Sequence, residues 1–190
     1  METQSKTIQA SFIRFFSTCL GCIIIGLIFF RLRIFNPQDW AFDFIQFGVL
    51  AAIFYALLCF ITLRNSIAAY FVLTLISVII LPKPYDLYFS LFWNLLEHIF
   101  ICIAVYLYWR FPYSGKKAVW IRPLQLAGYF MIAWALVSVA LRVYANWYEG
   151  FFLVVYQSLR HGLLIGLGLG AGIEAGNVFL TRFFKPSTSL

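Results

Sequence analysis

Apolar runs of roughly bilayer-crossing length follow one another through the whole chain, joined by short polar segments. They fall at about residues 12–30, 41–63, 66–81, 87–109, 124–144 and 160–180. A hydrocarbon core about 30 Å thick asks for roughly 20 such residues of helix. No joint is longer than about fifteen residues, too few for an inserted soluble domain. The spacing predicts an all-α, polytopic transmembrane helical bundle of about six spans, a single integral membrane domain over residues 1–190. Composition points the same way. Only 11% of the residues are charged and 63% are hydrophobic, whereas soluble domains average about 25% charged. The first run lacks a small-residue cleavage site after it, so it is read as a retained span rather than a signal peptide.

The joints carry the usual membrane punctuation. Residues 1–11 read as a polar tail, and Arg14 is placed to snorkel toward headgroups. Arg64–Asn65 reads as a tight turn, and the stretch from Arg110 to Arg122 as the most basic loop, flanked by Trp109 and Trp120. The span at 66–81 is short for the hydrocarbon core. Residues 146–158 allow two readings, a re-entrant or interfacial segment, or the start of one long helix from Phe151. Arg160 and His161 in the middle favour the first.

Six spans put both termini on one side. With the termini inside, that face carries Lys6, Arg14, Arg64, Arg110, Lys116, Lys117, Arg122, Arg182 and Lys185, against Arg31, Arg33, Lys83, Arg142 and Arg160 outside. The excess of cations inside is what cytoplasmic loops display, so the termini are expected to be cytoplasmic, in a bacterial inner membrane. The net charge of +7 is accounted for by topology and anionic headgroups, and no nucleic-acid partner is expected.

The last run, HGLLIGLGLGAGIEAGNVFL, is striped with glycine. Gly162, Gly166 and Gly170 form one series at a spacing of four, and Gly168, Gly172 and Gly176 a second. Residues four apart stack on one helical face, and the two series lie roughly 200° apart, so two opposite faces are bare. Such a helix is expected to pack closely between neighbours. The glycines are not a phosphate loop, because no strand precedes them and no P-loop lysine follows. Glu174 continues the first series.

Intramembrane ionisable residues normally face protein or water and have a partner. The run at 87–109 holds the clearest set. Ser90, Asn94, Glu97, Ile101, Ala104 and Tyr108 share one helical face, with His98 about 100° round from Glu97. Asn94, Glu97, His98, Arg160, His161 and Glu174 are therefore the candidate binding residues, with structural hydrogen bonding as the plain alternative for each carboxylate. Arg160 lies about 21 Å along a helix from Glu174, too far to pair with it. His98 and His161 could ligate one haem only at matching depth, and they are read at different depths, so no cofactor is predicted. Glu97, His98 and His161 could be assembled as three zinc ligands on paper, but HExxH is absent and no metal is predicted. Cys19 and Cys22 form a CxxC inside an apolar run and read as packing. A ligand pocket around Trp93, Tyr106, Trp134 and Tyr144 is a weaker reading than lipid-facing bulk.

The leading expectation is small-solute binding or transport at a polar site on span four, facing the glycine-rich helix. The alternative is a non-catalytic subunit or assembly factor whose partner helix docks on Gly168, Gly172 and Gly176. A membrane-embedded enzyme acting on lipid, using Glu97, His98, Arg160 and His161, comes third.

Overall fold

The computed structural model describes residues 2–31, 44–80, 87–115, 117–144 and 150–183. All regular structure among them is helical: α1 (Glu2–Arg31), a wide π-type stretch (Phe44–Val49) leading into α2 (Leu50–Leu58), α3 (Leu63–Ile80), α4 (Leu87–Arg110), α5 (Ala118–Tyr144) and α6 (Phe151–Phe183). Among the described residues three helices are long and apolar enough to cross a membrane, α1 over Ile8–Ile28, α5 throughout, and α6 over Phe151–Arg182. The chain is a transmembrane helical bundle with a Gly-zipper last helix.

Several boundaries differ from the sequence reading, each for a local reason. Helix α1 starts at Glu2, so the expected polar tail is largely its first turns. The turn expected at Arg64–Asn65 falls at residues 59–62 instead. There Thr62, a favoured N-cap residue, offers its carbonyl to the Ser66 N–H at 2.9 Å and starts α3. Helix α5 begins before Pro123, because the Lys117 carbonyl accepts from both Trp120 and Ile121 and tightens the first turn. Arg122 therefore sits on a helix rather than in a loop.

The largest correction concerns the segment before the last run. Helix α6 is continuous from Phe151, so of the two readings the chain takes the one long helix, with no break before residue 160. Gly150, at φ 65°, supplies the left-handed turn before it, and the Gly150 carbonyl accepts from Val154 at 3.1 Å. Arg160 causes no break, because its guanidinium lies over the Tyr156 ring, 6.0 Å from the centroid. Of the disputed segment, residues 146–149 lie outside the described residues.

Helix α6 is the centre of the bundle. Most of its glycine-rich stretch is buried, whereas α1 is largely exposed. It packs on α1 and α5, α5 also packs on α4, and α2 bridges α1 to α4 with α3 against both α2 and α4. The two glycine series make the close contacts possible. A Cβ on Gly162 would stand 2.6 Å from the Phe130 carbonyl oxygen, on Gly166 2.6 Å from Ala127 Cα, and on Gly170 2.5 Å from Pro123 Cα. Each step of four up α6 is thus a step of about four down the antiparallel α5. The second series meets α1 in the same way. A Cβ on Gly168 would stand 2.7 Å from Cys22 Cα, and one on Gly172 2.6 Å from Thr18 Cα, while Gly21 of α1 abuts the backbone of Gly168 and Gly172. Backbone meets backbone on both sides, so packing there rests on dispersion and main-chain dipoles rather than on side-chain knobs.

Candidate functional site

The polar side chains gather at one end of the bundle, where the first half of α1, the ends of α2, α4 and α6 and the start of α5 meet. Glu174 is at the centre, 4% exposed on the inner side of α6. Its carboxylate accepts the Tyr108 hydroxyl of α4 at 2.9 Å. On the other side the Arg122 guanidinium of α5 donates to Oε2 at 3.4 Å and Oε1 at 3.5 Å. Arg122 is itself oriented by its Nε, which donates to the Tyr113 carbonyl at 2.7 Å. The Tyr108 ring lies 6.2 Å from that of Tyr55 on α2. One turn further along α6, Asn177 accepts from Arg14 Nε of α1 at 3.4 Å. A single polar layer thus joins five helices through two residues of α6.

The two contacts to Glu174 are unequal. The Tyr108 bond has ordinary length, whereas an arginine–carboxylate bond is normally about 2.7–2.9 Å. The carboxylate is anchored on α4 and loosely held by α5. Its side chain is 5% exposed and that of Arg122 is 26% exposed, so the cation reaches the bundle edge and the anion does not.

Of the residues expected to form a site on α4, Glu97 and His98 face different neighbours. Glu97 is half-buried toward α5, in a crevice with Ile101, Ala133, Trp134 and Val137. His98 points elsewhere and is fully buried, its Nδ1 2.9 Å from the Tyr70 hydroxyl of α3 and its ring 5.2 Å from Phe47. Phe47 in turn packs edge-on to Trp134 at 5.1 Å, so His98 sits in an aromatic core. The backbone of Asn94 lies in α4, and its side chain lies outside the described residues, as does that of Trp93. Glu97 precedes Tyr108 by about 16 Å of helix, which separates it from Glu174 by a similar rise. Arg160 and His161 are half-buried on α6, about 20 Å from Glu174. Near them α6 is tied to α5 by Ser138 and Ser158, hydroxyl to hydroxyl at 2.5 Å.

Among the described residues no three His, Cys, Asp or Glu side chains gather into a metal-holding group. Cys22 packs at the α1–α6 contact, its thiol donating to the Ile165 carbonyl at 3.7 Å, and all four cysteines are free. The expected partner-docking face, Gly168, Gly172 and Gly176, carries α1 of the same chain.

Sequence reasoning missed Arg122, Asn177 and Arg14 as members of the layer, and placed Tyr108 only as the end of a polar face. A signal for Arg122 was present. The series Gly162, Gly166, Gly170 runs on to Glu174, and its partners on α5 descend toward Pro123 and the turn before it. Arg122 is the ionisable residue next to that proline.

A lateral groove opens beside this layer between α1, α5 and α6, with a volume of about 700 Å³. Its walls include Ile25, Trp120, Leu124, Leu167, Ala171 and Ala175, and Glu174 and Arg182 are its charged lining. No protein-family model, curated protein or solved structure matches the chain.

Proposed function

We propose that this membrane protein binds a small polar solute at the Glu174–Tyr108–Arg122 layer and passes it across the bilayer. The observation that carries the reading is the buried Glu174 carboxylate, held at 2.9 Å by one helix and at 3.4 Å by another. A carboxylate in that position can exchange the distant guanidinium for a solute amine, a hydroxyl or a proton while keeping its tyrosine bond. The glycine faces of α6 support motion, because a helix without interlocking side chains can slide at modest cost. The excess of lysine and arginine at this end supports a cytoplasmic orientation. The site so proposed lies about 16 Å along α4 from Glu97, which was the sequence-based focus.

The test is uptake into proteoliposomes of a defined mixture of amino acids, small amines and organic acids, read by mass spectrometry of the lumen. At least one solute should accumulate with the unaltered protein and be lost with Glu174→Gln, while Glu97→Gln retains it. If Glu97→Gln loses uptake and Glu174→Gln keeps it, the site belongs on mid-α4. If lumens with the unaltered protein match empty liposomes, the transport reading fails.

A further inference from the structure

The lateral groove has a shape and a charge pattern that the solute reading does not use. It runs along α6 from Leu167 to Arg182, about 22 Å at 1.5 Å per residue. One leaflet of hydrocarbon is about half of a 30 Å core, so the groove can take an acyl chain from that leaflet along its full length. Its lining along α6 is mainly apolar, with Leu167, Ala171, Ala175, Val178 and Phe179, and Ala175 is exposed. Two charged side chains line the groove, Glu174 at mid-length, where it is only 4% exposed, and Arg182 at one end. Trp120 stands 79% exposed at the same end, and Arg122 reaches Glu174 from α5. Lys117 lies exposed in the turn that starts α5. The Glu174 carboxylate is already engaged by Arg122 and Tyr108, which leaves Arg182 as the cation of the groove lining.

We propose that the groove is a binding site for a glycerophospholipid with an anionic headgroup, one acyl chain lying against α6 and the phosphate meeting Arg182. A cationic lipid would meet like charge at the rim, and a zwitterionic one would gain less from it. A water-soluble phosphate would leave the apolar walls uncovered. The nearby cleft between α1 and α2, lined by Phe12, Phe15, Ile53 and Ala56, makes the contrast. It is of similar character in its walls, but its lining includes no charged side chain. The proposal stands apart from transport, since lipid retention and solute uptake are separate readouts.

The test is native mass spectrometry of the whole protein released from nanodiscs of mixed phosphatidylglycerol and phosphatidylcholine. One phosphatidylglycerol per chain should be retained, and Arg182→Gln should weaken that retention by about fivefold, the effect of losing one cation near a lipid surface. Ala175→Phe, which fills the groove from an exposed position, should abolish retention, while Ala56→Phe in the α1–α2 cleft should leave it unchanged. Thermal unfolding of each variant in detergent separates a filled groove from a misfolded chain. Soluble glycerol phosphate should not displace the lipid. Equal retention of phosphatidylcholine, or undiminished phosphatidylglycerol on a folded Ala175→Phe protein, overturns the proposal, as does displacement by glycerol phosphate.

Discussion

The two glycine faces of α6 use the same spacing and meet their neighbours differently. On the α5 side every glycine of the series faces main chain or Cα atoms, at Phe130, Ala127 and Pro123. On the α1 side the contact is main chain at Gly168 and Gly172, then changes at Gly176, where the nearest group is the Ser17 hydroxyl. A backbone contact cannot yield without moving a helix, whereas a serine hydroxyl can rotate away. The α5 face is stiff along its length. The α1 face softens toward the polar layer, where Arg14 and Asn177 hold it by a hydrogen bond of 3.4 Å.

Substitutions can break this comparison in order of size. Gly166→Leu and Gly172→Leu should have the largest effects, exceeding the roughly 1–3 kcal/mol of ordinary overpacking, because each side chain would enter a neighbouring backbone. The check is accumulation of monodisperse protein. Folding of Gly172→Leu as well as the unaltered chain would show that α1 leaves this face readily and would reopen it to a partner helix. Next, Glu174→Ala should cost about 1–3 kcal/mol in detergent unfolding, since it strips Tyr108 and the partly exposed Arg122 of their shared acceptor. Glu174→Gln should cost less, as its amide oxygen still accepts from Tyr108. Gly176→Ala should cost under about 1 kcal/mol, and adding Ser17→Ala should remove most of that cost. A full-sized penalty surviving in the double variant would mean that the α1 face is as stiff as the α5 face. The smallest effect should be a gain. A Cβ on Gly128 meets nothing within 4 Å, so Gly128→Ala should stabilise α5 by up to about 1 kcal/mol through helix propensity.

Helical class, the membrane setting and the two bare faces of the last helix were legible from spacing alone, because a period of 3.6 residues converts sequence position directly into helical face. Which helix fills each face was not, since that depends on packing among distant segments. The second face illustrates the limit. Gly168, Gly172 and Gly176 suit an outside partner as well as they suit α1, and the seating of Ser17, Thr18, Gly21 and Cys22 against them separates the two. The polar layer was half legible. Glu174 stands out as a carboxylate in an apolar run, but Arg122 was hidden by the assumption that Pro123 ends a loop rather than sits inside the first turns of α5. Arg160 and His161 misled in the opposite sense. A charge in an apolar run suggests a break, yet an arginine lying along its own helix over Tyr156 needs none.

The unbroken length of α6 has a mechanical consequence. Its 33 residues make a rod about 50 Å long, far beyond the roughly 30 Å hydrocarbon thickness. A typical tilt of about 20° shortens its projection very little. One end must therefore ride in the headgroup zone, and the exposed Phe152, Leu153 and Tyr156 give its first turns the amphipathic character suited to that depth. A thinner or thicker bilayer is consequently met by a change in the inclination of α6. Because the α1 face is the softer of its two flanks, such a change is taken up against α1 while α5 tilts with α6.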